Sequence, residues 1–238
     1  MKMADMNNQM TMKKRALLAG ATGLVGRNIL HLLSKDSLIG AVRVLTRRSL
    51  PTEDKTPVVK ELILDFERLR EYPEWFDVDM VFCALGTTIA KARTRNAFRR
   101  VDFDYPLAIA KAARSAGASH FLMVSAMGAD SRSVFFYNRV KGELENAIQS
   151  LGYPSVTIAR PSMLLGEREE YRSGEKLAKR IFWLLPSKWA AVEASQVAAA
   201  LVKSAQEPKL GVTILDNREM RKIHMEGHSV IKQGSGDA

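Results

Sequence analysis

The chain has 238 residues, enough for one large domain with a full hydrophobic core. Hydrophobic residues make up 46% and charged residues 26%, which excludes a disordered chain, and no run approaches the roughly 18 unbroken apolar residues of a membrane span. The net charge of +10 is spread along the chain and densest at Lys91 to Arg100, a pattern that counts against nucleic acid and for a polyanionic cofactor.

Residues 1–13 are polar, rich in Met and Asn, and lack the apolar core of a secretory signal, so they read as a disordered leader. The single cysteine, Cys83, excludes an internal disulfide and suits a reducing compartment, which with the missing signal predicts a cytoplasmic protein. Its setting, Asp79-Met-Val-Phe-Cys-Ala-Leu, is that of a buried strand.

The first ordered run, Arg15 to Gly20, is short, apolar and closed by glycine, and predicts a buried strand. Val25, Ile29, Leu32 and Leu33 then recur at helical spacing. Strands are predicted at Ala41–Arg47, Val58–Leu64, Val78–Leu85, His120–Ser125 and Ser155–Ala159, and helices at Asn96–Ala116 and Ser133–Leu151. Helices alternating with apolar strands call for an α/β fold: a doubly wound parallel sheet, the Rossmann arrangement, over 14–161. Further on, helices are expected at Gly174–Leu185 and Ala194–Gln206 and a short strand at Val212–Leu215. Residues 162–238 are expected to form a small region capping the substrate side, with a fraying tail from Gly227. Trp183 and Trp189 in that region read as core or as pocket wall.

Gly20, Gly23 and Gly26 form Gly-x-x-Gly-x-x-Gly between a strand and a helix. A pyrophosphate needs close backbone approach and free amides at a helix start, which makes Gly20, Thr22, Gly23, Leu24, Val25 and Gly26 candidate cofactor contacts. The second strand ends at Thr46-Arg47-Arg48. An acidic residue there selects NAD, whereas Arg47 or Arg48 suits the 2′-phosphate of NADP(H). Asp65 and Phe66 follow the third strand and either frame the adenine or make a turn and cap. Leu85, Gly86 and Thr87 follow the fourth, either passing close to the dinucleotide or closing a turn.

Tyr137-Asn-Arg-Val-Lys141 puts a phenol and an ammonium one turn apart on a predicted helix. A nearby cation favours the phenolate and brings a tyrosine toward acid–base work. Ser125 ends the preceding strand, where its hydroxyl is expected to hold a substrate oxygen while Tyr137 exchanges the proton and Lys141 also binds the cofactor ribose. No metal site is expected, because His224 and His228 enclose a misplaced Glu226 and a helix-breaking Gly227.

With these motifs in view, the chain resembles the atypical branch of the short-chain dehydrogenase/reductase superfamily and, within it, the Tat-interacting-protein-like oxidoreductases. The resemblance extends through Leu64-Asp-Phe-Glu, Cys83-Ala-Leu-Gly-Thr-Thr, Arg100-Val-Asp-Phe-Asp-Tyr, Ser125-Ala-Met-Gly-Ala-Asp, Val140-Lys-Gly-Glu-Leu-Glu, Arg160-Pro and Leu185-Pro-Ser-Lys-Trp. It implies a Rossmann fold carrying NADPH, with Pro161 near the nicotinamide. One departure is Ala126, where relatives can carry a second serine. The expectation is an NADP(H)-dependent oxidoreductase acting on an unidentified small carbonyl or alcohol; the alternative is a non-catalytic NADP(H) sensor with a protein partner. A nucleotide-sugar epimerase fits the glycine turn but not the short C-terminal region.

Overall fold

A computed structural model describes residues 13–162, 164–165 and 191–224. The leader up to residue 12, the expected helix at Gly174–Leu185, both tryptophans of that region, His228 and the tail from Gly227 lie outside the described residues.

Seven strands form one parallel sheet: β1 (Lys14–Ala19), β2 (Ile39–Thr46), β3 (Val59–Ile63), β4 (Met80–Cys83), β5 (His120–Val124), β6 (Ser155–Ala159) and, last in the chain, β9 (Gly211–Leu215). Their spatial order is β3-β2-β1-β4-β5-β6-β9, so the strand order turns back between β1 and β4. Such a reversal leaves a crevice at the carboxyl ends of the strands, where open α/β sheets bind ligands. A two-stranded parallel ladder, β7 (Leu164–Leu165) with β8 (Val192–Glu193), stands apart.

Alternation along each strand feeds two cores. Leu18, Val42, Val44 and Phe82 face one side, where α1 (Leu24–Lys35) and α6 (Ala194–Gln206) cover them with Ile29, Leu33, Val197 and Leu201. Leu17, Leu45, Val81 and Phe121 face the other, under α4 (Tyr105–Ser115) and α5 (Phe136–Gln149). Burial on both faces explains why β1 from Ala16, β4, and β5 from Phe121 read as unbroken apolar runs rather than alternating ones.

Two expectations are corrected. The helix expected over Asn96–Ala116 is divided: α3 (Arg95–Arg99) passes through a π-helical turn at Arg100–Asp104 into α4. Pro106 has no amide to give the Asp102 carbonyl, which interrupts the α ladder at this point. The second concerns the expected C-terminal cap over 162–238. Its described parts build the main layers instead: α6 lies along α1, and β9 extends the sheet beyond β6, with Val156 opposite Val212. The apolar and small residues of α6, Ala194, Val197, Ala198, Ala200 and Leu201, form the stripe that demands this burial.

Candidate functional site

The glycine turn joins β1 to α1 at the crevice. Gly20 has φ +93, and a Cβ there would meet the Ala84 carbonyl oxygen at 2.5 Å. Its lack of a side chain therefore serves the contact between the β1 and β4 loops. A Cβ on Gly26 would come within 2.0 Å of the Gly20 carbonyl oxygen, so this glycine lets the helix sit on the turn. Gly23 is the N-cap of α1, and it supplies no capping side chain; the first turn contains no acidic residue either. Thr22 and Gly23 are exposed, Leu24 is half-buried, and the Val25 side chain points into the core, leaving its backbone to face the turn. Uncapped amides at the positive end of a helix dipole fit a diphosphate.

Arg47 and Arg48 lie exposed beyond the end of β2, and neither side chain has a hydrogen-bond or ion-pair partner among the described residues. Thr46 shapes this corner: its hydroxyl donates to the Arg48 carbonyl at 2.7 Å. Asp65 accepts from the Glu67 amide at 3.1 Å, capping the short 3₁₀ turn Phe66–Glu71. Phe66 is buried and stacked on Tyr105, with ring centroids 5.3 Å apart. The geometry of the pair is that of a turn and helix cap, with the Asp65 side chain exposed.

α5 carries the expected pair. Its buried face is Val140, Lys141, Gly142, Leu144, Glu145 and Ile148, an apolar stripe with two opposite charges in it. One turn apart, Lys141 and Glu145 have the spacing to pair with each other. Instead each finds a partner elsewhere. Lys141 Nζ lies 2.7 Å from Asp102 Oδ1, and both side chains are almost fully buried. The other Asp102 oxygen accepts from the Thr87 amide at 2.8 Å. Gly86 covers the pair: a Cβ there would sit 3.4 Å from Asp102 Oδ1 and 3.8 Å from Lys141 Nζ. Leu85, half-buried, joins this loop to β4 and packs on the α4/α5 core.

Burial alone pulls the Lys141 ammonium down, but the Asp102 carboxylate, with the Tyr137 phenol nearby, outweighs it and holds Lys141 above the ordinary lysine range. Tyr137 is half-buried in the first turn of α5, its ring tilted against Phe98 at 5.6 Å. Cys83 lies in the same neighbourhood, and burial pushes its thiol up to about 11, so it stays protonated. Asp102 is the residue that sequence reasoning passed over. Its motif was in view within Arg100-Val-Asp-Phe-Asp-Tyr, but an acid in a helix ordinarily reads as solvated.

Ser125 is placed differently from its expected use. Its hydroxyl donates to Glu145 Oε1 at 2.5 Å, inside the protein. Arg160 grips the same carboxylate, with Nε 3.1 Å from Oε1 and Nη2 2.5 Å from Oε2. The guanidinium is raised above its ordinary range, chiefly by that hydrogen bond. Pro161, buried, accepts from the Met127 amide at 2.9 Å, which staples the β5 and β6 loops together. Ala126, at the position of the second serine, brings no hydroxyl.

Residues 20–208 match the model of the family described as NAD(P)H-binding. The chain belongs to that family. It is 37% identical over 211 residues to the protein HTATIP2 of Rattus norvegicus, covering 86% of this chain and 87% of that one. This places it with the Tat-interacting-protein-like members of the short-chain dehydrogenase/reductase superfamily. It is 32% identical over 204 residues to the mitochondrial protein FMP52 of Candida albicans, covering 80% of this chain and 87% of that one. Among solved structures, UDP-glucose 4-epimerase of Thermotoga maritima shares the fold, with a TM-score of 0.65 at 15% identity over 85% of this chain and 76% of the other.

The relatives correct one expectation. Several fungal ones are named mitochondrial, against the cytoplasmic placement drawn from the sequence. A lone cysteine is compatible with any reducing compartment, so it had no power to choose among these.

Proposed function

We propose that the protein is an NADP(H)-dependent oxidoreductase that interconverts a small carbonyl and its alcohol, with Tyr137 as the acid–base. The observation that carries this reading is Tyr137 one turn from an ammonium that Asp102 keeps charged inside the protein. A bound nicotinamide supplies or accepts the hydride. In reduction, the Tyr137 O–H bond breaks as the substrate alkoxide takes its proton. Lys141 stabilises the phenolate that remains, and solvent at the half-buried ring returns the proton. Oxidation runs the same transfers in reverse. NADP(H) is favoured over NAD(H) by Arg47 and Arg48, two exposed cations at the end of β2 where an acidic residue would select NAD(H).

One observation supports a second reading, a non-catalytic NADP(H) sensor. The Ser125 hydroxyl is committed to Glu145, and Ala126 offers no replacement. The names of the fungal relatives support a mitochondrial setting in either case.

Purified full-length protein is titrated with NADPH and NADH by calorimetry and then assayed on a panel of small carbonyls. We expect NADPH binding and turnover, with turnover reduced about a hundredfold or more in Tyr137→Phe and binding retained. Unchanged turnover in that variant removes Tyr137 from the chemistry. Tight NADPH binding with no turnover on any carbonyl selects the sensor.

A further inference from the structure

The loop between β5 and α5 ends in two apolar side chains that the fold holds outward. Val134 is 86% exposed and Phe135 is 71% exposed, the aromatic one immediately ahead of α5. This is not a frayed loop. Ser133 donates its amide to the Asp130 carbonyl at 2.9 Å, and the Phe135 amide donates to the Ser133 hydroxyl at 3.2 Å. The Arg139 guanidinium reaches back to the Ser133 carbonyl at 2.9 Å, and the Arg139 amide donates to the Phe135 carbonyl at 2.9 Å. Four hydrogen bonds thus brace a segment whose two largest apolar groups contact water. Fixing a loop while leaving its hydrophobes out yields no burial, so the platform needs something to bury them.

The surroundings of the tip are cationic. Arg132 is 92% exposed at the side chain, and its only carboxylate neighbour among the described residues, Asp130, lies 3.8 Å away. Arg95 and Arg139 both sit over the Phe136 ring, at 5.3 Å and 5.8 Å from its centre. Arg132 thus belongs to the loop itself, Arg139 reaches back to it from α5, and Arg95 lies over the ring that follows the tip, on a chain with a net charge of +10.

We propose that this loop docks on an anionic lipid surface, with Val134 and Phe135 entering the acyl boundary and Arg95, Arg132 and Arg139 meeting the headgroups. The size of the tip favours a bilayer over a protein. A stable protein interface buries about 800 Å² per partner around a packed core, which two side chains do not form. A bilayer needs no complementary pocket and rewards an apolar wedge ringed by cations. Among the described residues no helix is long and apolar enough to cross a membrane, so attachment of this kind is peripheral. Tyr137 follows two residues after Phe135, so docking brings the candidate acid–base to the membrane face. The docking itself does not rest on the Tyr137 chemistry.

The test is co-flotation of the full-length protein with vesicles of pure phosphatidylcholine and of phosphatidylcholine with phosphatidylglycerol. We expect binding to the anionic vesicles and little to the neutral ones. Raising the salt from about 0.1 M to about 1 M shortens the screening length from about 10 Å to about 3 Å and is expected to release the protein. The double variant V134S/F135S is expected to bind anionic vesicles about tenfold more weakly, with NADPH affinity and melting temperature unchanged. R95Q/R132Q is expected to weaken binding while leaving the apolar tip in place. Absence of binding to any vesicle overturns the proposal and leaves the tip to a protein partner. Vesicle binding unaltered in V134S/F135S overturns it too, since the basic surface alone then suffices.

Discussion

The hydroxyl of Ser125 points at the carboxylate of Glu145, not at Tyr137, and Arg160 closes the other side of that carboxylate. A strand-end serine thus serves the buried face of α5. The Ser125→Ala variant is expected to lose about 1–2 kcal/mol of stability, the cost of leaving a buried acceptor short of one donor. Its kcat is expected to stay within a few-fold of wild type. Thermal melting and steady-state kinetics on the same preparation check both; a collapse of kcat with an unchanged melting temperature would return Ser125 to the substrate.

Asp102 gives the Lys141 ammonium its counter-charge, so Asp102→Asn leaves a buried cation unpaired. A loss of about 3–5 kcal/mol in stability is expected. The sign follows from the direction of the shift. In the wild type the Lys141 pKa is raised by Asp102, so its contribution is full below the lysine's ordinary range and fades only as pH rises through the raised value. With Asp102 neutralised, burial prevails and Lys141 titrates lower. The pH profile of melting temperature in Asp102→Asn should therefore fall more steeply toward acid than that of the wild type, as Lys141 is forced to charge.

Arg47 lies exposed just beyond the end of β2, with no side-chain partner among the described residues. Replacing it with alanine should weaken NADPH binding about tenfold or more, the worth of a charge-assisted contact to phosphate, and leave NADH binding unchanged. Calorimetry with both nucleotides decides. Equal losses would make Arg47 a general surface cation.

His120, at the start of β5, is buried with Nε2 2.9 Å from Thr157 Oγ1 and Nδ1 without a hydrogen-bond partner among the described residues. Burial lowers its pKa from 6.5 to about 4, with Lys14 adding to the effect. Between those values the unfolded chain binds a proton that the folded one refuses, so stability is full above pH 6.5 and falls as pH drops toward 4. The loss has an upper bound of about 3 kcal/mol. His120→Gln keeps a group able to bond Thr157 and cannot charge, so its melting temperature should fall less between neutral pH and pH 5. Parallel curves for the two proteins would exonerate His120.

The sheet was legible because its strands are buried on both faces and punctuated by glycine, a signal that needs no partner to interpret. The glycine turn and the Tyr137–Lys141 spacing were visible for the same reason, since each is a local pattern. What was hidden depends on residues distant in sequence. Asp102 meets Lys141 from within a π-helical turn, and no local pattern announces that pairing. Ser125 looked free because its acceptor, Glu145, looked like a solvated helix residue. The stacking of Phe66 on Tyr105, far along the chain, was likewise out of sight. The described parts of the C-terminal stretch were misjudged for want of a visible partner for the α6 stripe, which is α1.

That last contact sets an order of events during synthesis. The apolar face of α1, with Ile29, Leu30 and Leu33, leaves the ribosome long before Val197 and Leu201 of α6 exist to cover it. Through most of translation the nascent chain carries this helix on the sheet without its α6 neighbour, and chains with part of their core uncovered are prone to aggregate. Cells making the protein quickly should therefore depend on chaperone capacity more than a sheet of this regularity suggests.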